Sequence, residues 1–200
     1  MKREVVLAPG LWVPGAVMAL LAARLARHGY AVRVFSYRGR EPHEPNVDAL
    51  ARFARDGAFF VGHSLGGVLI LDMLNRHPEI EPRAVVLLGA PVRGCLAGRR
   101  LAGARLGRWM MGACGPLWEE RGARWSRSAP LGVVAGTLPL GLGRAFGALP
   151  GPNDGVVCVE ETTVDGMSER ALVREGHSML VVSSRVSALV ERFLQAGRFA

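Results

Sequence analysis

Lysine is almost missing. Of 25 lysines and arginines only Lys2 is a lysine; the arginines run through every segment and are densest between Arg93 and Arg127, for a formal net charge of +8. Aromatic residues make up only 6% of the chain. No helix or loop gathers basic and aromatic side chains as a nucleic-acid recognition element would, so nucleic acid is excluded as a partner. A basic face that draws in an acidic substrate, or touches a lipid surface transiently, stays compatible with this charge. Cysteine is scarce and odd in number: Cys95, Cys114 and Cys158 show no metal-ligand spacing, which points to reduced thiols in a reducing compartment and to no bound metal or cofactor. Long apolar runs are absent too. The longest nearly apolar stretch, 11–23, is too short to cross a bilayer. Met1-Lys2-Arg3 opens like a leader, but Glu4 follows at once, and Pro9, Gly10, Pro14 and Gly15 interrupt the apolar run. No internal period of about 20–50 residues repeats, which excludes solenoids. The expectation is one soluble, cytoplasmic domain spanning 1–200, with nothing in the sequence bearing on oligomeric state.

What is present is a core. Half of the 200 residues are hydrophobic, enough to bury one sizeable domain. Short apolar strands are expected over 5–8, 31–37, 58–61, 84–88, 131–137 and 170–173. Helical stretches separate them: one opened by Pro14 and stopped by Gly29, one capped by Asn46 and ending near Arg55, one running to Asn75, and a closing helix over 186–194. Continuous apolar strands alternating with helices describe an α/β fold, a mostly parallel six-stranded sheet with helices on both faces. Such sheets bind ligands at the carboxyl ends of their strands.

The most informative stretch is Phe59-Phe60-Val61-Gly62-His63-Ser64-Leu65-Gly66-Gly67. An apolar strand meets Gly-x-Ser-x-Gly and passes directly into an apolar helix, with Ser64 at the apex. Glycine is 26 of 200 residues, so the pattern alone is weak; its strand-turn-helix setting gives it meaning. A serine hydroxyl needs a base to take its proton, and the base needs an acid to hold its tautomer. After Ser64 only His77 and His177 remain. His77 ends the elbow helix far from the apex, whereas His177 follows the last strand on the apex edge and is expected to be the base. For the acid, Asp72 points to the wrong side. Asp154, in an Asn-Asp-Gly turn, is favoured over Asp165, which reads as a hairpin-turn residue between a strand over 159–164 and the final strand; Glu160, Glu161 and Glu175 are weaker substitutes. Two amides are expected to hold a developing oxyanion: that of Leu65, placed by the elbow helix, and that of Leu11 after the first strand, with help from Trp12.

The segment 91–128 breaks the strand-helix rhythm. It carries Trp109, Met110, Met111, Trp118 and Trp125 among arginines and glycines, and apolar and basic residues share no clean helical face. Two readings stand: a pair of ordinary helices on the sheet, or a cap-like insertion whose aromatic and methionine surface meets an acyl chain, with Trp12, Trp109 and Met110 as substrate contacts. Gly141-Leu142-Gly143-Arg144-Ala145-Phe146-Gly147 has the spacing of some dinucleotide loops, but Pro150 and Pro152 leave no room for the helix such a loop requires.

Ser…Asp…His order, the elbow after a central strand and Gly-Leu-Trp after the first strand together resemble the α/β-hydrolase fold family over nearly the whole chain. Val-Leu-Ala-Pro-Gly-Leu-Trp, Gly-His-Ser-Leu-Gly-Gly, Leu-Pro-Gly-Pro-Asn-Asp-Gly-Val-Val and Gly-His-Ser-Met-Leu are similar to a bacterial lipase/esterase-like branch that lacks the first two strands of the larger fold. The resemblance implies hydrolysis of a small-molecule carboxylic ester through an acyl-enzyme, with Ser64, Asp154 and His177 as the triad. Acyl transfer or thioester cleavage on the same triad, and a non-catalytic binding module on the same scaffold, are the competing functions. One position departs from the branch, which usually has His-Gly where this chain has Pro9-Gly10. Proline cannot donate the hydrogen bonds by which such a histidine braces the oxyanion loop.

Overall fold

Strand β1 (Arg3–Ala8) alternates its side chains between two helical layers, and the rest of the architecture follows from that alternation. A computed structural model describes residues 3–13, 15–141 and 147–200. Pro14, expected to open the first helix, and 142–146 of the glycine-spaced stretch lie outside them. After β1 come helix α1 (Ala19–Arg27), entered through a 3-10 turn (Gly15–Met18), strand β2 (Tyr30–Val34) and helix α2 (His43–Phe53). Strand β3 (Phe59–His63), helix α3 (Leu65–Arg76) and strand β4 (Ala84–Leu88) form the centre. Helices α4 (Leu96–Gly103) and α5 (Arg105–Met111) and a 3-10 segment (Gly112–Trp118) lead to strand β5 (Leu131–Gly136), strand β6 (Glu169–Val173) and helix α6 (Ser184–Ala196).

The strands form one six-stranded sheet in the order β2-β1-β3-β4-β5-β6. Every neighbouring pair is parallel. Val5 and Leu7 join Phe59, Val61, Val86 and Leu88 beneath α1 and α6, where Leu21, Leu25, Val190 and Phe193 fill the layer. Val6 and Ala8 join Phe60, Val85 and Leu87 beneath α2 and α3 on the other face. Strands β3, β4 and β5 are buried along their whole length, as a sheet covered on both sides requires.

Two details differ from the sequence expectation. Helix α2 begins at His43, one turn earlier than expected, with Pro42 in the cap position. Asn46 therefore lies inside the helix, where its side-chain amide donates to the Arg38 and Pro42 carbonyls at 3.1 and 3.3 Å. Pro45 does not prevent this, because first-turn amides have no helical partner to lose. Residues 159–164 carry a 3-10 turn (Glu160–Thr162) rather than a strand. Segment 91–128 folds into α4, α5 and the 3-10 segment, and it divides its aromatics: Trp118 and Trp125 are buried in the α3-side core, whereas Trp109 is 68% exposed. Among the described residues no helix is long and apolar enough to cross a membrane.

Candidate active site

The elbow has the geometry its glycines require. Ser64 sits at φ 52°, ψ −125°, one of two non-glycine residues with positive φ among those described, the other being Trp12 at φ 60°. Such backbone is costly and persists only where the surroundings over-determine it. Here α3 starts hard against the end of β1: a Cβ at Gly66 would fall 2.2 Å from the Ala8 carbonyl oxygen and 2.4 Å from that of Pro9. The Ser64 amide donates to the Leu88 carbonyl at 2.9 Å, tying the apex to the end of β4.

Three side chains from distant parts of the chain meet there. His177 Nε2 lies 2.9 Å from Ser64 Oγ, and His177 Nδ1 lies 2.7 Å from Asp154 Oδ2. The carboxylate is 1% exposed and the imidazole 8%. The other carboxylate oxygen, Oδ1, accepts from the Val156 and Val157 amides at 2.9 and 2.7 Å, so the Asn-Asp-Gly turn orients the acid. The His177 amide also donates to the Asp154 carbonyl at 2.9 Å, joining the two loops through their backbones. In a neutral imidazole, donation from Nδ1–H to the carboxylate makes Nε2 the acceptor nitrogen, the one able to take a proton from the hydroxyl.

The competing candidates lie elsewhere. Asp165 pairs with Arg93, Asp72 with His43 and Arg121, and His77 with Glu79. Glu161 accepts from the Leu96 and Cys158 amides and so anchors the start of α4, while Glu175 accepts from the Ser183 hydroxyl.

The loop after β1 lies across the apex. A Cβ at Gly10 would stand 2.9 Å from Ser64 Cβ, and one at Gly39 would touch both Leu11 Cδ1 and Leu65 Cδ2, at 2.9 and 3.2 Å. Leu11 and Leu65 are thus neighbours, and among the described residues neither amide meets an acceptor. The positive end of α3 reinforces the Leu65 amide. The loop is braced from β2's exit: the Tyr37 hydroxyl donates to the Pro9 carbonyl at 2.7 Å, and the Tyr37 ring stacks on Phe35. Burial pushes the Tyr37 phenol upward, so it remains a protonated donor. Where Pro9 cannot donate, it accepts.

Beside this loop opens a cavity of about 650 Å³, walled by residues 9–13, 37–41 and Gly112. Trp12 is 49% exposed at its edge, and its indole N–H donates to the Met110 carbonyl at 3.3 Å, while the Trp109 ring centroid lies 5.1 Å from the Arg40 guanidinium on the wall; neither Trp109 nor Met110 lines the cavity itself. Sequence reasoning missed two contributors here. His63 is fully buried with its ring 4.8 Å from that of His177, and its Nε2–H donates to the His177 carbonyl at 3.1 Å. Burial, then the neighbouring His177, lowers His63 to about 3, so it is a neutral strut. Its position directly before Ser64 was the available signal. The partnership of Tyr37 with Pro9 depends on the β1–β2 register and had none.

A family model described as the alpha/beta hydrolase family matches residues 5–192. The chain belongs to that family. Among solved structures, this hydrolase resembles a Bacillus licheniformis lipase in mature form, at TM-score 0.77 and 15% identity, covering 98% of this chain and 92% of that one. It also resembles a carboxylesterase of the thaumarchaeon Nitrososphaera gargenis (TM-score 0.66, 11% identity, 97% and 90% covered). A third is a pyrethroid hydrolase from Sphingobium faniae (TM-score 0.61, 14% identity, 98% of each chain covered). At these identities the likeness is one of fold. No curated protein sequence matches the hydrolase.

Proposed function

We propose that this α/β hydrolase cleaves carboxylic esters through an acyl-enzyme, with Ser64 as nucleophile, His177 as general base and acid, and Asp154 as the group that holds His177. His177 Nε2 takes the Ser64 proton as Oγ bonds to the ester carbonyl carbon. The carbonyl oxygen becomes an oxyanion facing the Leu11 and Leu65 amides. Collapse expels the alkoxide, which takes the proton from His177. Water then repeats the sequence, His177 accepting its proton and returning it to Ser64 as the acid leaves. Segment 91–128 serves as a cap, with Trp109, Met110 and Trp12 offering apolar surface to the acyl chain, and chain 1–200 works as a single hydrolase domain.

The observation that carries the reading is the continuous hydrogen-bonded chain from Ser64 Oγ to His177 at 2.9 Å and on to a buried Asp154 at 2.7 Å. The lipase and carboxylesterase neighbours accord with it. A panel of 4-nitrophenyl esters of graded acyl length tests it, run with wild type and Ser64→Ala. The expected outcome is turnover by wild type and a loss of at least about 10³-fold in kcat/KM on substitution. A Ser64→Ala protein that keeps wild-type turnover would refute it.

A further inference from the structure

Ester hydrolysis as such makes no use of the positive charge that lines the cavity. Arg38 and Arg40 both face it, with Glu41 as the acid beside them. Arg38 is paired with Glu41 at 2.9 Å. Arg40 has no carboxylate within ion-pair distance among the described residues, and the wall therefore carries a net positive charge.

Arg40 is also held in place. Its guanidinium donates to the Trp109 carbonyl at 2.5 Å and stands 5.1 Å from the centroid of the Trp109 ring. Its backbone carbonyl accepts from the Ala113 amide at 2.8 Å. A guanidinium has five N–H donors in a rigid fork, and this tether leaves the rest of the fork for a ligand. An arginine fixed beforehand loses less side-chain freedom when it binds an anion than a mobile one does. The same wall reaches the nucleophile, because Gly10 lies against Ser64 and Gly39 against Leu11 and Leu65.

We infer that the preferred substrate is an ester bearing an anionic group, a carboxylate or a phosphate, which Arg40 receives on this wall while the carbonyl lies at Ser64. The inference rests on the ester-hydrolase reading and adds its substrate class. The overall charge of +8 acts in the same direction, since a basic surface raises the encounter rate with anions. Arg40 is exposed to solvent, so its selectivity is moderate and sensitive to salt.

The test compares matched esters: 4-nitrophenyl hexanoate with the mono-4-nitrophenyl ester of adipic acid, and phenyl hexanoate with its ring-phosphorylated counterpart. Each kcat/KM is normalised to uncatalysed hydrolysis and measured at about 20 mM and about 500 mM NaCl. In wild type at low salt, at least one charged ester is favoured over its neutral partner by about tenfold, and high salt shrinks the ratio. Which pair shows it tells whether the anion belongs to the acyl or the alcohol part. Arg40→Gln brings the ratio close to one, and Arg40→Lys keeps part of it. Loosening of α5 alone would lower both members of a pair together and leave the ratio intact. Ratios near one in both wild-type pairs, or a preference that Arg40→Gln leaves unchanged, overturn the inference while the hydrolase reading stands. Failure of all four esters overturns both.

Discussion

Ser64 and Trp12 are the two non-glycine residues of positive φ among those described, and the residues that brace the backbone between β1 and the apex explain what the site can do. Tyr37 is the clearest case, because the peptide it grips through the Pro9 carbonyl leads directly into Gly10 and Leu11. Removing that hydroxyl with Tyr37→Phe leaves a buried carbonyl short of its donor, at a stability cost of about 1 kcal/mol. On the proposed mechanism the larger effect falls on the Leu11 amide: kcat for a neutral ester drops about tenfold while KM stays within about twofold, since an oxyanion donor acts mainly on the transition state. Equal changes in both constants would mark Tyr37 as packing only. His63 makes a different prediction. It stays neutral in the fold, lowered to about 3, whereas an unfolded histidine titrates at 6.5. Between those values the unfolded chain binds the extra proton, so this contribution to stability is complete above the unfolded value and is lost as pH falls below it. Going from about pH 7 to about pH 5 costs about 2 kcal/mol from this residue. Urea unfolding of wild type and His63→Gln at both pH values reads the difference; identical acid sensitivity would contradict a neutral buried His63.

The elements of the central sheet were legible in the sequence, because strands buried on both faces have no polar alternation and stand out as apolar runs. The elbow was legible for a related reason: only glycine fits where α3 meets β1, so the spacing survives as a pattern. A Gly66→Ala substitution places its Cβ within 2.4 Å of two backbone carbonyl oxygens, and neither can yield without moving the exit of β1. The expected result is destabilisation of about 3 kcal/mol in urea melts, together with loss of ester turnover; a protein of wild-type stability would show that the contact is looser than described. Helix α2 was misread by one turn because Asn46 resembles a cap, yet its amide donates to carbonyls behind it. Of the two readings the sequence left open for segment 91–128, the pair of helices is observed, but where those helices begin and end was not legible, for another reason. Its helices are short, they mix arginine with apolar residues, and contacts with distant parts of the chain, such as the Ala113 amide to the Arg40 carbonyl at 2.8 Å and the Trp12 indole to the Met110 carbonyl at 3.3 Å, fix their place.

On the scale of the whole molecule, the parallel winding brings Ser64, Asp154 and His177 to one edge of the sheet although 113 positions separate the first from the last. Chain order and strand ends sufficed to nominate the three. What the sequence did not carry were the parts of Tyr37 and Arg40, because both act through neighbours that only the folded chain supplies. The central claim concerns one hydroxyl made reactive by that convergence. Its most direct test is incubation of folded wild type, Ser64→Ala and His177→Ala with a fluorophosphonate, followed by intact mass and peptide mapping. The account predicts one adduct per chain on Ser64, none in Ser64→Ala, and labelling slowed by at least about 10³-fold in His177→Ala. A folded wild-type protein that takes up no adduct, or takes it up at another residue, would contradict it.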